Sequence, residues 1–413
     1  VKLTSLKPFS RSPEARRLAL VFAVVYFAQG MWYLPNLTIT FFLKDTLGLS
    51  AAQTATFFSI TVIPWLIKPL YGLISDFVPL FGRRRKSYFL LTSGIAATMG
   101  LILSMMGSYT YWAVAIFFTL MGLGLAFTDV LTDALMVENG KRLGVTGQFQ
   151  AVQWASISLA SILVGVGGGW LAENKYLSLT FLIATTFPVI TLVMGIFLIS
   201  ESRTENSKQQ FHETWAAIRG AIGSRTLWIV AGFIFFYNFS PSFGPALAYY
   251  ATDVLHFSKI FLGTLDSLAY ASGIVGTACY FAFSKSFSLK HLIYFAIAAG
   301  VIATVAYLGY RDQTSAVVIS LVFGGVAMFI QLTFLELAAK ACPKQAEATF
   351  FALLTSVYNG AVQLSQITGG WLYGEVGFTR LIFISAGFTS LCWLLVPLLN
   401  LQELERGRRE GAS

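Results

Sequence analysis

The chain has 413 residues, 56% of them hydrophobic and only 11% charged, with a mean hydropathy of +0.70. A water-soluble domain carries about a quarter charged residues, so this composition excludes a soluble globule and points to a polytopic membrane protein. The net charge of +9 would suggest nucleic acid in a soluble protein; here the excess cations are expected in loops on one side of a membrane, with no nucleic-acid partner.

A basic lead (Lys2, Lys7, Arg11, Arg16, Arg17) runs straight into a first span too long for the apolar region of a cleavable signal. Twelve apolar segments come near or above the ~20 residues that cross a bilayer. They fall at about 17–43, 52–78, 87–106, 111–137, 147–172, 177–200, 226–251, 259–283, 289–309, 314–339, 346–373 and 378–401. With the N-terminus inside, the inner segments hold 22 of the 28 Lys+Arg and the outer loops five: Lys44, Lys175, Lys259, Arg311 and Arg380. Lys68 is left inside a span. This bias predicts that both termini face the cytoplasm, or the stroma of a plastid. The longest polar stretch, 201–225, reads as a cytoplasmic linker between two six-helix bundles, 1–200 and 226–413.

The two halves repeat. FFLKDTLGLS (41–50) aligns with YYATDVLHFS (249–258), and FQA at 149–151 with FFA at 350–352. Gly168-Gly169-Trp170-Leu171 aligns with Gly369-Gly370-Trp371-Leu372. Six spans per repeat give both copies the same direction in the membrane, which predicts an all-α fold of two pseudo-symmetric six-helix bundles.

The stretch 64–86, PWLIKPLYGLISDFVPLFGRRRK, fixes the orientation. Arg83, Arg84, Arg85 and Lys86 cannot sit in hydrocarbon and mark a membrane surface. Ionisable groups within spans are costly, and candidates for function by default. They are Lys68, Asp129, Asp133, Asp266 and Glu336, with Asp76 and Glu138 at span ends. Asp129 and Asp133, four apart, share one helix face. Two readings compete. In one, Asp76, Asp133 and Glu138 pair with Arg83, Arg84, Arg85 and Lys86 as a cytoplasmic gate. Lys68, Asp129 and Glu336 then line a cavity in which Lys68 meets an anionic substrate and Asp129, Asp266 or Glu336 carries a coupling proton. In the other, all are static ion pairs between helices. Amides and aromatics recur on the first, fifth, seventh, tenth and eleventh spans, which would face the cavity: Gln29, Trp32, Tyr33, Gln150, Trp154, Tyr237, Asn238, Gln331, Tyr358 and Asn359. Stacking faces beside amide donors and acceptors suit a flat, polar heteroaromatic ring, although each residue taken singly also suits helix–helix bonding.

Enzyme chemistry is not legible. His212, His256 and His291 form no zinc motif, Cys279, Cys342 and Cys392 have no metal spacing, and no phosphate-binding loop occurs. No cofactor or metal is expected.

The order Gly72, Asp76, Gly82, Arg83 resembles the loop between the second and third helices of major facilitator superfamily transporters, with a longer gap between Asp76 and Gly82. More specifically, several blocks resemble the folate–biopterin transporter family of that superfamily. They are Gln29-Gly30 with 41–50, PWLIKPLYGLISD (64–76) with FGRRRK (81–86), DVLTDALMVE (129–138) and ACPKQAEATFFALLTS (341–356). The resemblance implies twelve spans, movement of folates or pterins, and functional positions at Lys68, Asp76, Arg83–Arg85, Asp129 and Asp133. Muropeptide permeases and acetyl-CoA transporters share part of the pattern, so another anionic metabolite is the alternative substrate. The expectation is a proton-coupled symporter, monomeric, in a bacterial plasma membrane or plastid envelope. A membrane enzyme or assembly factor for pigment proteins is the reading from a different class.

Overall fold

A computed structural model of the chain describes residues 12–199, 201, 219, 223–283, 286–342, 347–399 and 401. Among these there is no β-strand. Most of the predicted linker 201–225, residues 343–346 of the last resemblance block, and the side chain of Asp76 lie outside the described residues.

The first predicted span is α1 (Pro13–Met31) followed by α2 (Leu34–Phe41), which ends in a π-helical turn, Phe42–Thr46. Ser12 starts α1 by accepting a hydrogen bond from the Ala15 N–H at 3.2 Å, with Pro13 just inside, where no N–H is needed. The second predicted span is broken into α3 (Ala51–Thr61), α4 (Ile63–Leu66) and α5 (Lys68–Phe77). Pro64 and Pro69 each fall in the first turn of a piece, where the missing N–H and the ring prevent the preceding helix from running on. Unbroken helices follow: α6 (Lys86–Met105), α7 (Tyr111–Leu143), α8 (Thr146–Glu173) and α9 (Leu177–Leu198).

The seventh predicted span is also interrupted, into α10 (Arg225–Asn238) and α11 (Gly244–Asp253), around Pro241. Then come α12 (Lys259–Phe283), α13 (Leu289–Ala306), α14 (Gln313–Ala341) and α15 (Glu347–Leu395). The last carries a kink at Gly377, whose φ of 76° and ψ of 173° only glycine adopts readily. By length and apolarity, nine described stretches can cross a membrane. The twelve read from the sequence are not all among them. The pieces of the second and seventh are each too short, and the eleventh and twelfth form one stretch, Phe350–Leu399.

Contacts gather the chain into two compact units, one of Val1–Leu47 and Ile60–Lys208, the other of Gly48–Ser59 and Gln209–Ser413. In the first, α6 packs on α7 and α9, and α1 on α8. A Cβ added to Gly124 would collide with the Thr92 carbonyl oxygen and stand 2.7 Å from the Ala96 nitrogen. In the second, α12 lies on α14, and a Cβ on Gly276 would collide with the Gly325 carbonyl. Lipid tails are as apolar as leucine, so helix association here depends on such close backbone approach rather than on escape from water. The segment 48–59 is tied into the second unit by the Tyr249 hydroxyl, which donates to the Leu49 carbonyl at 2.6 Å and lies 3.0 Å from the Thr54 hydroxyl.

Gly124→Ala is expected to lower the thermal midpoint in detergent, by overpacking worth about 1–3 kcal/mol. Gly94→Ala, on α6 with nothing within 4 Å of its added Cβ, leaves the midpoint unchanged or higher. Equal behaviour of the two variants in a melting scan would refute the close-approach account.

Candidate substrate and gate site

In the first unit the chain breaks at Ile67 (φ −99°, ψ 15°), and Lys68 becomes the first residue of α5. That places the ammonium beside α7, where Nζ lies 2.5 Å from Asp129 Oδ2 and 4.7 Å from the centroid of the Trp65 ring. The side chain of Asp129 is 3% exposed and that of Lys68 23%. A charge so far from water persists only when paired, and removing one member strands the other. One turn further along α7, Asp133 Oδ1 accepts from the Tyr26 hydroxyl at 2.5 Å and from Gln153 Nε2 at 3.3 Å. α1, α5, α7 and α8 thus each bring polar side chains to a single cluster. Gln29 Oε1 is buried with no hydrogen-bond partner among the described residues, and Gln29 lines a cavity of about 10 Å³ together with Asp129, Ser93, Thr128 and Thr191.

The basic turn is a second cluster. Phe81 and Gly82 both have positive φ (54° and 73°), and the turn closes with Leu80 and Arg83 exchanging backbone hydrogen bonds at 3.0 and 3.1 Å. Arg85 is 8% exposed. Its Nη2 pairs with Glu138 Oε1 at 2.9 Å and its Nη1 donates to the Ser75 hydroxyl at 2.8 Å. Arg83 and Arg84 form no ion pair among the described residues. Asp133 does not join this cluster as expected. It stands five residues before Glu138, roughly 140° round the helix from it, on the side taken by Tyr26 and Gln153.

Glu201 completes the basic turn, and no sequence signal marks it. Its carboxylate accepts from the backbone N–H groups of Arg84 (3.0 Å), Arg85 (3.0 and 3.1 Å) and Lys86 (2.7 Å). No side chain of Arg85, the residue before α6, caps that helix. A carboxylate from 115 residues away satisfies the free amides and meets the positive end of the helix dipole.

The aromatic and amide candidates divide. Tyr33 and Trp154 are each 46% exposed, Gln150 is exposed, and Tyr33 lies within electrostatic reach of both Lys68 and Asp129. These can meet a ligand. Trp32 is buried and stacks on Phe118, with ring centroids 3.8 Å apart and planes 13° apart, so it is packing. In the second unit Tyr237 packs on Phe334 at 4.3 Å, and Asn238 donates to the Ile234 carbonyl of its own helix at 2.7 Å. Gln331, Tyr358 and Asn359 are half-buried. Glu336 pairs with Lys340 one turn on at 2.6 Å and accepts from the Tyr280 hydroxyl. Asp266 is exposed on α12 and forms no hydrogen bond or ion pair among the described residues.

A family model described as the BT1 family matches residues 29–401. The chain belongs to the BT1 family. A folate-biopterin transporter of Synechocystis sp. (strain ATCC 27184 / PCC 6803 / Kazusa) is 32% identical, over 97% of this chain and 83% of that one. Folate transporter 1 of Plasmodium falciparum (isolate 3D7) is 24% identical, over 91% of this chain and 75% of its own. Among solved structures, the nucleoside transporter NupG superposes with a TM-score of 0.66 at 13% identity, covering 95% of this chain and 99% of that one. A D-xylose-proton symporter superposes with a TM-score of 0.69 at 12% identity, covering 92% and 96%. This BT1 chain therefore has the major facilitator fold, is an integral, multi-pass membrane protein, and is a transporter rather than an enzyme.

Two expectations follow for this BT1 family member. Lys68→Met leaves Asp129 buried and unpaired and lowers stability by about 3–5 kcal/mol; adding Asp129→Asn restores most of the thermal midpoint. A double variant no more stable than Lys68→Met would mean that the pair is not a closed unit. Glu201→Ala costs about 1 kcal/mol, as loss of a helix cap does, read as a lower midpoint and faster amide exchange at residues 84–86.

Proposed function

We propose that the chain moves a folate-type substrate across the membrane by alternating access, coupled to protons, with Lys68 as the group that receives the substrate's carboxylate. The observation that carries this reading is the Lys68–Asp129 pair. It joins a cation and an anion from different spans at 2.5 Å, with exposed Tyr33 in electrostatic reach. Folate supplies a flat heteroaromatic ring for Tyr33 and Trp154 and a glutamyl tail that is anionic at neutral pH. The family and the relatives named above support the substrate class.

The chemistry of exchange follows from burial. A substrate carboxylate that takes the place of Asp129 at Lys68 leaves Asp129 without its cation in a site nearly closed to water. Uptake of one proton by Asp129 neutralises it at far lower cost than burying a bare carboxylate. One carboxylate and one proton then enter together, and the charge of the site is unchanged. Asp133, held by Tyr26 and Gln153, is the adjacent acceptor; Glu336 and Asp266 are the acidic candidates of the second unit. Arg85–Glu138, with Arg83, Arg84 and Asp76 as the further gating candidates, is read as the inner gate.

The charge bias of the loops supports cytoplasmic or stromal termini. The repeats support two six-helix bundles, 1–200 and 226–413, around the linker 201–225. A monomer is the working unit of this proposal.

The test is uptake into liposomes holding the purified protein, with folic acid, folinic acid and biopterin compared, with and without an inward proton gradient. The gradient is expected to accelerate folate entry. Lys68→Gln is expected to depress folate uptake roughly tenfold more than biopterin uptake, the scale of one lost charge-assisted hydrogen bond. Equal loss of both would remove Lys68 from tail recognition. Uptake of a muropeptide or an acyl-nucleotide in preference to any pterin would replace the substrate.

A further inference from the structure

In the second unit, consecutive helices α12 and α13 both pack on α14 and make little contact with each other. The wedge between them is a groove of about 620 Å³. Gly276 and Gly325, which meet at its floor, have no side chains to fill it, while Phe283, Phe295 and Phe329 form its walls. It opens on the outside of the unit, since lining residues Val275, Val322 and Phe295 are 63%, 52% and 56% exposed. In a membrane-spanning unit that surface meets hydrocarbon, and a groove of this volume falls within the ~300–1,000 Å³ of sites that hold discrete ligands.

Length and charge identify the occupant. From Ser272 to Phe283, the lining of α12 climbs eleven residues, about 16 Å at 1.5 Å each. That is about half of the ~30 Å hydrocarbon core, the depth of one leaflet. The groove's end is marked by His291, in the first turn of α13, with its Nδ1 2.7 Å from the Ser288 hydroxyl; exposed Lys290, next to it in sequence, stands just outside the residues that line the groove. Among the described residues, no carboxylate lines the groove. An apolar slot one leaflet long, with a lysine beside its mouth, matches an acyl chain joined to an anionic headgroup. We infer that this groove holds one acyl chain of an anionic phospholipid, with its headgroup against Lys290 and His291.

Native mass spectrometry of the detergent-purified chain, incubated with equal amounts of phosphatidylglycerol and phosphatidylethanolamine, tests this. The wild type is expected to retain one phosphatidylglycerol, preferred roughly fivefold over phosphatidylethanolamine, the factor one surface lysine supplies. Val322→Trp fills the groove and abolishes retention. Lys290→Glu keeps a lipid but removes the preference. Equal retention of the two lipids by the wild type, or unchanged retention in a folded Val322→Trp, overturns the inference. Where Val322→Trp does not fold, the wild type decides through Cys279, exposed within the groove. Its alkylation by an apolar maleimide, read by peptide mass, slows several-fold with phosphatidylglycerol present; an unchanged rate overturns the site.

Discussion

The buried pair between Lys68 and Asp129 constrains the first unit more than any other contact. Neither charge can lie alone in a membrane interior, and the two meet where the second predicted span stops being a regular helix. The break lies among two prolines five residues apart, Pro64 and Pro69, and a non-helical Ile67 between them. The break costs backbone hydrogen bonds, which in hydrocarbon must be recovered within the protein. It is tolerated because it sets an ammonium at the head of a new helix, facing the carboxylate of another. Asp133 depends on the same arrangement at one remove. Tyr26 and Gln153 supply hydrogen bonds in place of a second cation, so two carboxylates share one helix face without two lysines.

The helix interruptions carry a second regularity. α1 gives way to α2 at Trp32 and Tyr33, and α10 gives way to α11 around Pro241, at nearly equivalent points of the two repeats. Discontinuous helices in matching positions mark the binding regions of transporters built from repeats, because free backbone groups become available there. Tyr33 stands at the first break; Tyr237 and Asn238 end the helix before the second. Elsewhere the spans are held by contacts that small residues permit, such as Gly124 on α6 and Gly276 on Gly325. Close packing elsewhere leaves the irregular backbone concentrated in the first, second and seventh predicted spans.

Much of this architecture is legible in the amino-acid sequence, for reasons that differ by residue. The long apolar runs are set by bilayer thickness, so α6 to α9 and α12 to α14 follow from hydropathy alone. Lys68 and Asp129 stand out because an ionisable group in a span is rare. The prolines are visible, but not which of them divide a span into pieces, since that depends on neighbouring helices able to satisfy the freed backbone groups. Trp32 reads as a ligand face and is packed on Phe118 instead; a tryptophan's character does not reveal which neighbour it faces. Glu201 is illegible because its partners are backbone amides, which nearly every residue carries and no motif records.

The repeat also shows where the two units part ways. Asp133 and Glu336 are 203 residues apart, within the range of the repeat's other offsets, and each accepts a hydrogen bond from a tyrosine hydroxyl, Tyr26 or Tyr280. The cations differ. Glu336 has Lys340 one turn along its own helix, a pair that survives any rigid movement of α14. Lys68 comes to Asp129 from another span, so the distance between them depends on how α5 and α7 are arranged. A charge pair within one helix is a fixed element, whereas a pair between helices can respond to both ligand and conformation. The repeated carboxylate position therefore has a partner on its own helix in one half and lies beside a pair between two spans in the other.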